Sequence, residues 1–326
     1  MPALYPLKFK TIFKDKIWGG QKIKTYLHKD FGSLPNCGET WEISGVKSDV
    51  SVVNGGALDG ESLADLLEQF KGELVGEKVY AHFGNIFPLL VKFIDAKEDL
   101  SVQVHPNDEL AKKRHNSFGK TEMWYVIESD PGSSLIAGFN KELTEQEYLD
   151  KFNSGHLMDI LNKEDANAGD VFFLPAGRVH TIGAGLLIAE IQQTSDITYR
   201  IYDFDRVDDK GNKRELHTKE ALAAIDYHHY PNYKTQYQPE KNKTVELVTC
   251  PYFTTNLLDF TADTTKDYSN LDSFVIFVCV EGSFTVKTAD AEYPVKMGDC
   301  ILLPKIMEKV DLVTTSGFKI LESYIE

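Results

Sequence analysis

Four side chains of metal-binding type lie in local patterns that aim them inward. Gln103-Val-His105 places two side chains at i and i+2, on one face of a strand. Lys120-Thr-Glu122-Met-Trp124 repeats that alternation, so Lys120, Glu122 and Trp124 share a face. Farther on, Gly169-Asp-Val-Phe-Phe-Leu-Pro175-Ala-Gly177-Arg-Val-His180 reads as a turn, a strand and a tight Pro-x-Gly bend that carries His180 back toward the interior. Gln103, His105, Glu122 and His180 together offer two nitrogens and two oxygens, a set suited to Zn²⁺. Taken singly, each has a plainer reading as a surface or hydrogen-bonded residue. Their joint placement on inward positions favours a metal site.

The elements that must hold these residues are mostly strands. Apolar runs rich in β-branched and aromatic residues recur at Phe87–Ile94, Leu100–Val104, Met123–Ile127, Val171–Leu174, Leu186–Gln192, Phe274–Val280, Phe284–Lys287 and Cys300–Leu303. Four helices are expected between them: one capped by Ser62 and running through Glu68, one over Asn107–Arg114, one opened by a Thr144/Glu147 capping box toward Phe152, and one over Lys219–Ile225. The stretch His228–Lys243 has no apolar period and reads as a linker or surface crossing. Gly169-Asp-Val-Phe-Phe-Leu-Pro175 and Gly298-Asp-Cys-Ile-Leu-Leu-Pro304 share Gly, Asp, Leu and Pro at the same offsets. Each follows an apolar strand that ends in a glutamate, Glu128 or Glu281, so one β-unit occurs twice. The fold class is therefore mainly β with inserted helices.

The chain has 326 residues, enough for about two domains, and a formal charge of −15. A field of that sign repels phosphate backbones and anionic lipid, which excludes nucleic acid and membrane as partners. An anionic substrate then needs a local cluster of Lys and Arg. The longest apolar run, Phe274–Val280, is too short to span a bilayer, and the N-terminus shows no secretory pattern. The 4 cysteines form no Cys-x-x-Cys pair and read as inert thiols in a reducing compartment, so the protein is expected in the cytoplasm.

The Gly169–His180 segment resembles the second motif of the cupin superfamily, with every fixed position present. The resemblance narrows when other segments join it. Ile17-Trp-Gly-Gly20, Glu39-Thr-Trp-Glu-Ile-Ser44, Pro88–Ala96, Gln103-Val-His105-Pro-Asn-Asp, Gly119–Tyr125, Leu174–His180 and Thr198-Tyr-Arg200 are similar, in order, to the type I mannose-6-phosphate isomerase family in its short bacterial form. That resemblance implies two cupin-type β-barrels (double-stranded β-helix, or jelly roll) and zinc-assisted exchange of mannose 6-phosphate and fructose 6-phosphate through an enediol or enediolate. It places Gln103, His105, Glu122 and His180 on the ligand positions of one Zn²⁺ per chain. Arg200 falls on the catalytic arginine. Lys120 and Glu190 are candidates for proton transfer, as is a metal-bound water. Trp18, Glu42, Lys92 and Ser101 match substrate-site positions. A sugar phosphate is the implied partner, with no obligate protein partner evident.

The second copy departs from the motif. Lys305-Ile-Met-Glu-Lys follows Pro304 where Ala-Gly-Arg-Val-His follows Pro175, and Val275 falls opposite Glu122. The expected organisation is a catalytic metal-binding cupin over 1–230, with helical insertions, and a degenerate cupin without metal over 231–326. Two other classes share the cupin motif: a cupin dioxygenase or decarboxylase with a redox metal, and a non-enzymatic sugar-binding cupin. Gln103 in place of a histidine argues against the first. The intact ligand set and Arg200 argue against the second.

Overall fold

The computed structural model describes residues 3–207 and 210–326. Three antiparallel sheets account for the strands. The first has the order Ile12–Lys14, Glu39–Ser44, Leu89–Ala96, Leu186–Gln193, Glu122–Ser129, Val171–Leu174. The second has the order Tyr199–Tyr202, Val102–Val104, His180–Ile182, Ser134–Phe139, Leu161–Asp165. These two close on a core that includes Ile94, Trp124, Val126, Leu135, Ala137, Ile182 and Ile188. The third sheet curls on itself around the long strand Val275–Lys287 to make the second barrel, filled by Leu258, Val275, Phe277, Cys279, Ile301, Leu303 and Ile320.

Alternation along the strands assigns the two faces. Trp124 and Val126 point into the first barrel, whereas Met123, Tyr125 and Ile127 join a different core on its outside. Ile276, Val278 and Val280 of the second barrel enter that same outer core, together with Leu66 and Leu67 of the helix Leu63–Phe70. The two barrels therefore share one buried apolar layer. A further core on the outer face of the second sheet takes Leu110, Tyr148 and Ala221 from the helices Asp108–His115, Glu145–Asn153 and Thr218–Leu222.

The expected caps are in place. Ser62 accepts from the Asp65 amide, whereas Asn107, expected inside its helix, is instead the cap of Asp108–His115 and accepts from the Leu110 amide. Thr144 and Glu147 form a complete capping box. Thr218–Leu222 is shorter than expected, and Lys22–Thr25, Gly72–Val75 and Glu77–Phe83 are helices that the apolar period did not reveal. Each of those three spans two turns or fewer, too short to display a repeat. The runs Phe274–Val280 and Phe284–Lys287 are one strand, Val275–Lys287, irregular between Cys279 and Glu281, where Glu281, Gly282 and Ser283 are exposed.

The repeated unit is real at the level of individual bonds. Glu122 pairs with Leu174 in one barrel and Val275 with Leu303 in the other, each leucine preceding a proline. The Gly169 amide donates to Val126 and the Gly298 amide to Cys279. Both glycines have positive φ, +91° and +87°. The first barrel's Val171–Leu174 strand is flanked by Lys234, which bridges Phe172, and the second's Cys300–Leu303 strand by Leu7, which bridges Leu302. The chain's beginning thus edges the second barrel, and the inter-barrel segment edges the first.

Candidate metal centre and active site

Four backbone segments of the first barrel bring the ligands together. Gln103 lies on the strand Val102–Val104 and pairs with His180, the first residue of the next strand in the same sheet. His105 follows that strand's end. Glu122 opens the facing strand Glu122–Ser129. The Gly177 amide donates to the His105 carbonyl, which ties the two histidine-bearing loops to each other.

Each imidazole is prepared as a metal ligand. His105 Nδ1–H donates to the Ile197 carbonyl (2.8 Å) and His180 Nδ1–H to the Arg178 carbonyl (2.9 Å), which leaves both Nε2 lone pairs facing Glu122. The Nε2 atoms lie 3.6 and 3.4 Å from its two carboxylate oxygens. Burial pushes both imidazoles toward the neutral form, His180 to about 4 and His105 well below its usual value, with Lys120 adding to both shifts. Burial and the Glu190 charge push the Glu122 carboxyl up, against the pull of Lys120. Neither Glu122 oxygen accepts an aligned hydrogen bond although both are fully buried. Two neutral imidazoles and a fully buried carboxylate facing them fit a divalent cation, and among the described residues this is the one cluster of three potential ligands. Gln103 presents its amide nitrogen to His180 Nε2 at 3.2 Å, so a ligand role requires the amide to turn and offer its oxygen.

A cavity of about 410 Å³ opens beside this cluster. Of the residues expected at the substrate, Trp18, Lys92, Ser101, Lys120, Glu190 and Arg200 line it. Lys120 Nζ lies 2.9 Å from a Glu122 oxygen and donates to His105 Nε2 at 3.1 Å. Lys92 donates to Glu190 (2.9 Å) and Gln192 (2.7 Å), and the Trp124 indole donates to the other Glu190 oxygen (2.8 Å). Burial opposes ionisation of Glu190, but Lys92 and Lys120 outweigh it and hold the carboxyl below its usual range. Arg200 donates through Nη1 to the Glu215 carbonyl, while its buried Nε has no partner.

Glu42 is placed elsewhere. It sits at an irregularity between Trp41 and Ile43 and turns away from the cavity, accepting from Lys29 (2.9 Å) and Thr11 (3.2 Å). Strand alternation gives the cavity Glu39 and Trp41 instead, and Trp41 pairs with Lys92. Lys14, Lys16 and Arg214 also line the cavity and were missed. Arg214 lies far along the chain and is aimed by a two-point contact with Asp203, a pairing that no spacing rule reports. Six cationic and four acidic side chains line the cavity, so it is locally positive in a chain of charge −15. A larger groove of about 1100 Å³ between the helices Glu77–Phe83 and Asp108–His115 and the C-terminus holds none of these residues.

In the second barrel Val275 stands where Glu122 stands, and Asn256 and Glu322 occupy the register of Lys92 and Glu190. Its interior is closed by apolar packing. Tandem antiparallel barrels, of which only the first carries a cluster of three potential metal ligands among the described residues, define a two-cupin protein. Within that class the chain belongs to the type I mannose-6-phosphate isomerase family. The model described as phosphomannose isomerase type I, catalytic domain, matches residues 6–131, and that of the mannose-6-phosphate isomerase cupin domain matches residues 243–324. It is 37% identical to the mannose-6-phosphate isomerase ManA of Bacillus subtilis over 92% of this chain and 93% of that one. It is 34% identical to the mannose-6-phosphate isomerase of Streptococcus mutans over 93% of each. The crystal structure of the mannose 6-phosphate isomerase from Bacillus subtilis superposes with a TM-score of 0.88 at 32% identity, over 98% of this chain and 99% of that one. The chain is therefore an enzyme of the isomerase class.

Proposed function

We propose that this enzyme interconverts mannose 6-phosphate and fructose 6-phosphate through an enediol or enediolate, assisted by one zinc ion held by Gln103, His105, Glu122 and His180. The observation that carries the reading is the pair of Nδ1–carbonyl bonds, which aim two neutral Nε2 atoms at a buried carboxylate beside a positive cavity. Bound there, zinc supplies a Lewis acid for the substrate carbonyl.

The chain's own groups do the rest. Moving a proton between C2 and C1 builds negative charge on oxygen, and Arg200 lines the cavity with a guanidinium of fixed charge to meet it. Lys92 spends hydrogen bonds on Glu190 and Gln192 and is held at a defined point on the cavity wall. Both Glu190 oxygens are engaged, so it positions Lys92 and is not the free base. Lys120, at the cavity floor beside Glu122, is then the side chain placed to carry the proton at Nζ. The excess of cations receives the phosphate. The fold fits a cytoplasmic enzyme working on a small metabolite, and no helix among the described residues is long and apolar enough to cross a membrane.

A coupled assay of the zinc-loaded protein with both sugar phosphates tests this. Turnover in both directions, lost on chelation and restored by zinc, is expected. Tight binding of mannose 6-phosphate without turnover would refute it.

A further inference from the structure

The segment that leads from the first barrel to the second grips the loop bearing His180. That loop, Pro175–His180, is short, and Gly177 within it has a φ of +93°. The Asp226 amide donates to the Gly177 carbonyl at 2.8 Å. The Arg178 side chain packs against two rings of the same segment, with its guanidinium carbon 4.5 Å from the Tyr230 centroid and 5.0 Å from that of Tyr233, and the two rings meet edge to face with centroids 6.1 Å apart. Both rings are themselves anchored. The Tyr233 hydroxyl donates to the Phe139 carbonyl (2.8 Å) and accepts from the Tyr230 amide (3.1 Å). The Tyr230 hydroxyl donates to Asp226 (2.8 Å), the residue that already holds Gly177. Arg178 is 9% exposed and also donates to the Phe173 carbonyl.

This arrangement reaches the metal centre through one atom. The Arg178 carbonyl accepts the Nδ1–H of His180, and that bond sets both the tautomer and the ring plane that aims Nε2 at Glu122. A guanidinium held against two anchored rings is restrained in position, and so is the peptide that carries it. We propose that the 226–233 segment is a positioning element of the metal centre: Tyr230 and Tyr233 hold Arg178, and Arg178 orients His180. The inference rests on the metal reading above and adds to it a part for the inter-barrel segment, which no ligand assignment requires.

The test measures zinc affinity of the full chain by competition with a chromophoric chelator, and the visible spectrum after cobalt substitution, without any activity assay. Arg178→Lys and Tyr230→Leu should each weaken zinc binding about 10–100-fold and shift the cobalt bands, because the ring of His180 loses its fixed plane. Tyr230→Phe, which keeps the ring, should bind within about twofold of wild type. Tyr230 is 37% exposed, so its substitution leaves the core closed and keeps the test alive if Arg178→Lys misfolds. Zinc affinity and cobalt spectra unchanged in Arg178→Lys and Tyr230→Leu overturn the proposal while the metal site stands. A wild-type chain that takes up no zinc overturns both.

Discussion

Arg200 shows how a single side chain can be assigned from what it lacks. Its Nη1 is spent on the Glu215 carbonyl, while Nε is buried with nothing to bond. A buried unpaired donor costs about 1–3 kcal/mol, an unmet demand in a residue that lines the cavity. Arg200→Lys keeps the charge and loses the planar fork. Turnover should fall on the order of 10²–10³-fold, with metal content and thermal stability unchanged. A change confined to KM would instead make Arg200 a ground-state binder. His180 supports a complementary prediction. His180→Ala should fold and yet lose the metal, because the ring lies beside the core and the strand bonds of His180 are made by its backbone. Elemental analysis with circular dichroism reads both outcomes.

Strands and loops set the geometry these residues inherit. Gly177 adopts a φ of +93°, and a Cβ there would meet the Ala224 carbonyl at 2.9 Å. Gly177→Ala should therefore destabilise the fold on the order of 1–3 kcal/mol and reduce retained metal, as read by denaturant midpoint and elemental analysis. Glu39 reports on the neighbouring sheet. Burial pushes its carboxyl up, but Lys92, Lys16 and the Trp41 indole outweigh that and hold it at about 2. A carboxylate depressed in the fold stabilises above its unfolded pKa of about 4.5, and that contribution is lost as pH falls toward 2. Glu39→Gln should cost on the order of 2 kcal/mol at neutral pH, with the difference from wild type closing between about pH 4.5 and 2 in acid-unfolding curves.

At the scale of the whole molecule, the second barrel bears on stoichiometry and stability. It keeps the register of the first, with Val275 where Glu122 would be and no histidine after His229. One metal per chain is expected by elemental analysis, all of it lost in the His105→Ala, His180→Ala double variant. A second equivalent surviving those changes would show that the repeat retains a site. The barrels also share a core in which Met123 and Tyr125 of one meet Ile276 and Val278 of the other. Separate expression of residues 1–230 should accordingly yield an aggregating fragment, since that apolar layer would face water. A soluble 1–230 fragment with native secondary structure would contradict this.

Local pattern was enough to determine much of this protein. Alternation along Gln103–His105 and Lys120–Trp124 and the Pro-x-Gly bend before His180 pointed to the residues that the fold gathers in one cluster, because a period of two and a turn depend on neighbouring residues alone. The caps at Ser62 and Thr144 were legible for the same reason. The register between strands was not. Trp41 faces the cavity because it pairs with Lys92, and Glu42 turns away because the strand is irregular beside it. Arg214 arrives through Asp203, and the apparent gap between Val280 and Phe284 closes because one long strand serves several partners. These outcomes depend on which distant segments pair and pack, a choice made by burial and hydrogen bonding across the assembled barrels. Only the tertiary structure could decide them.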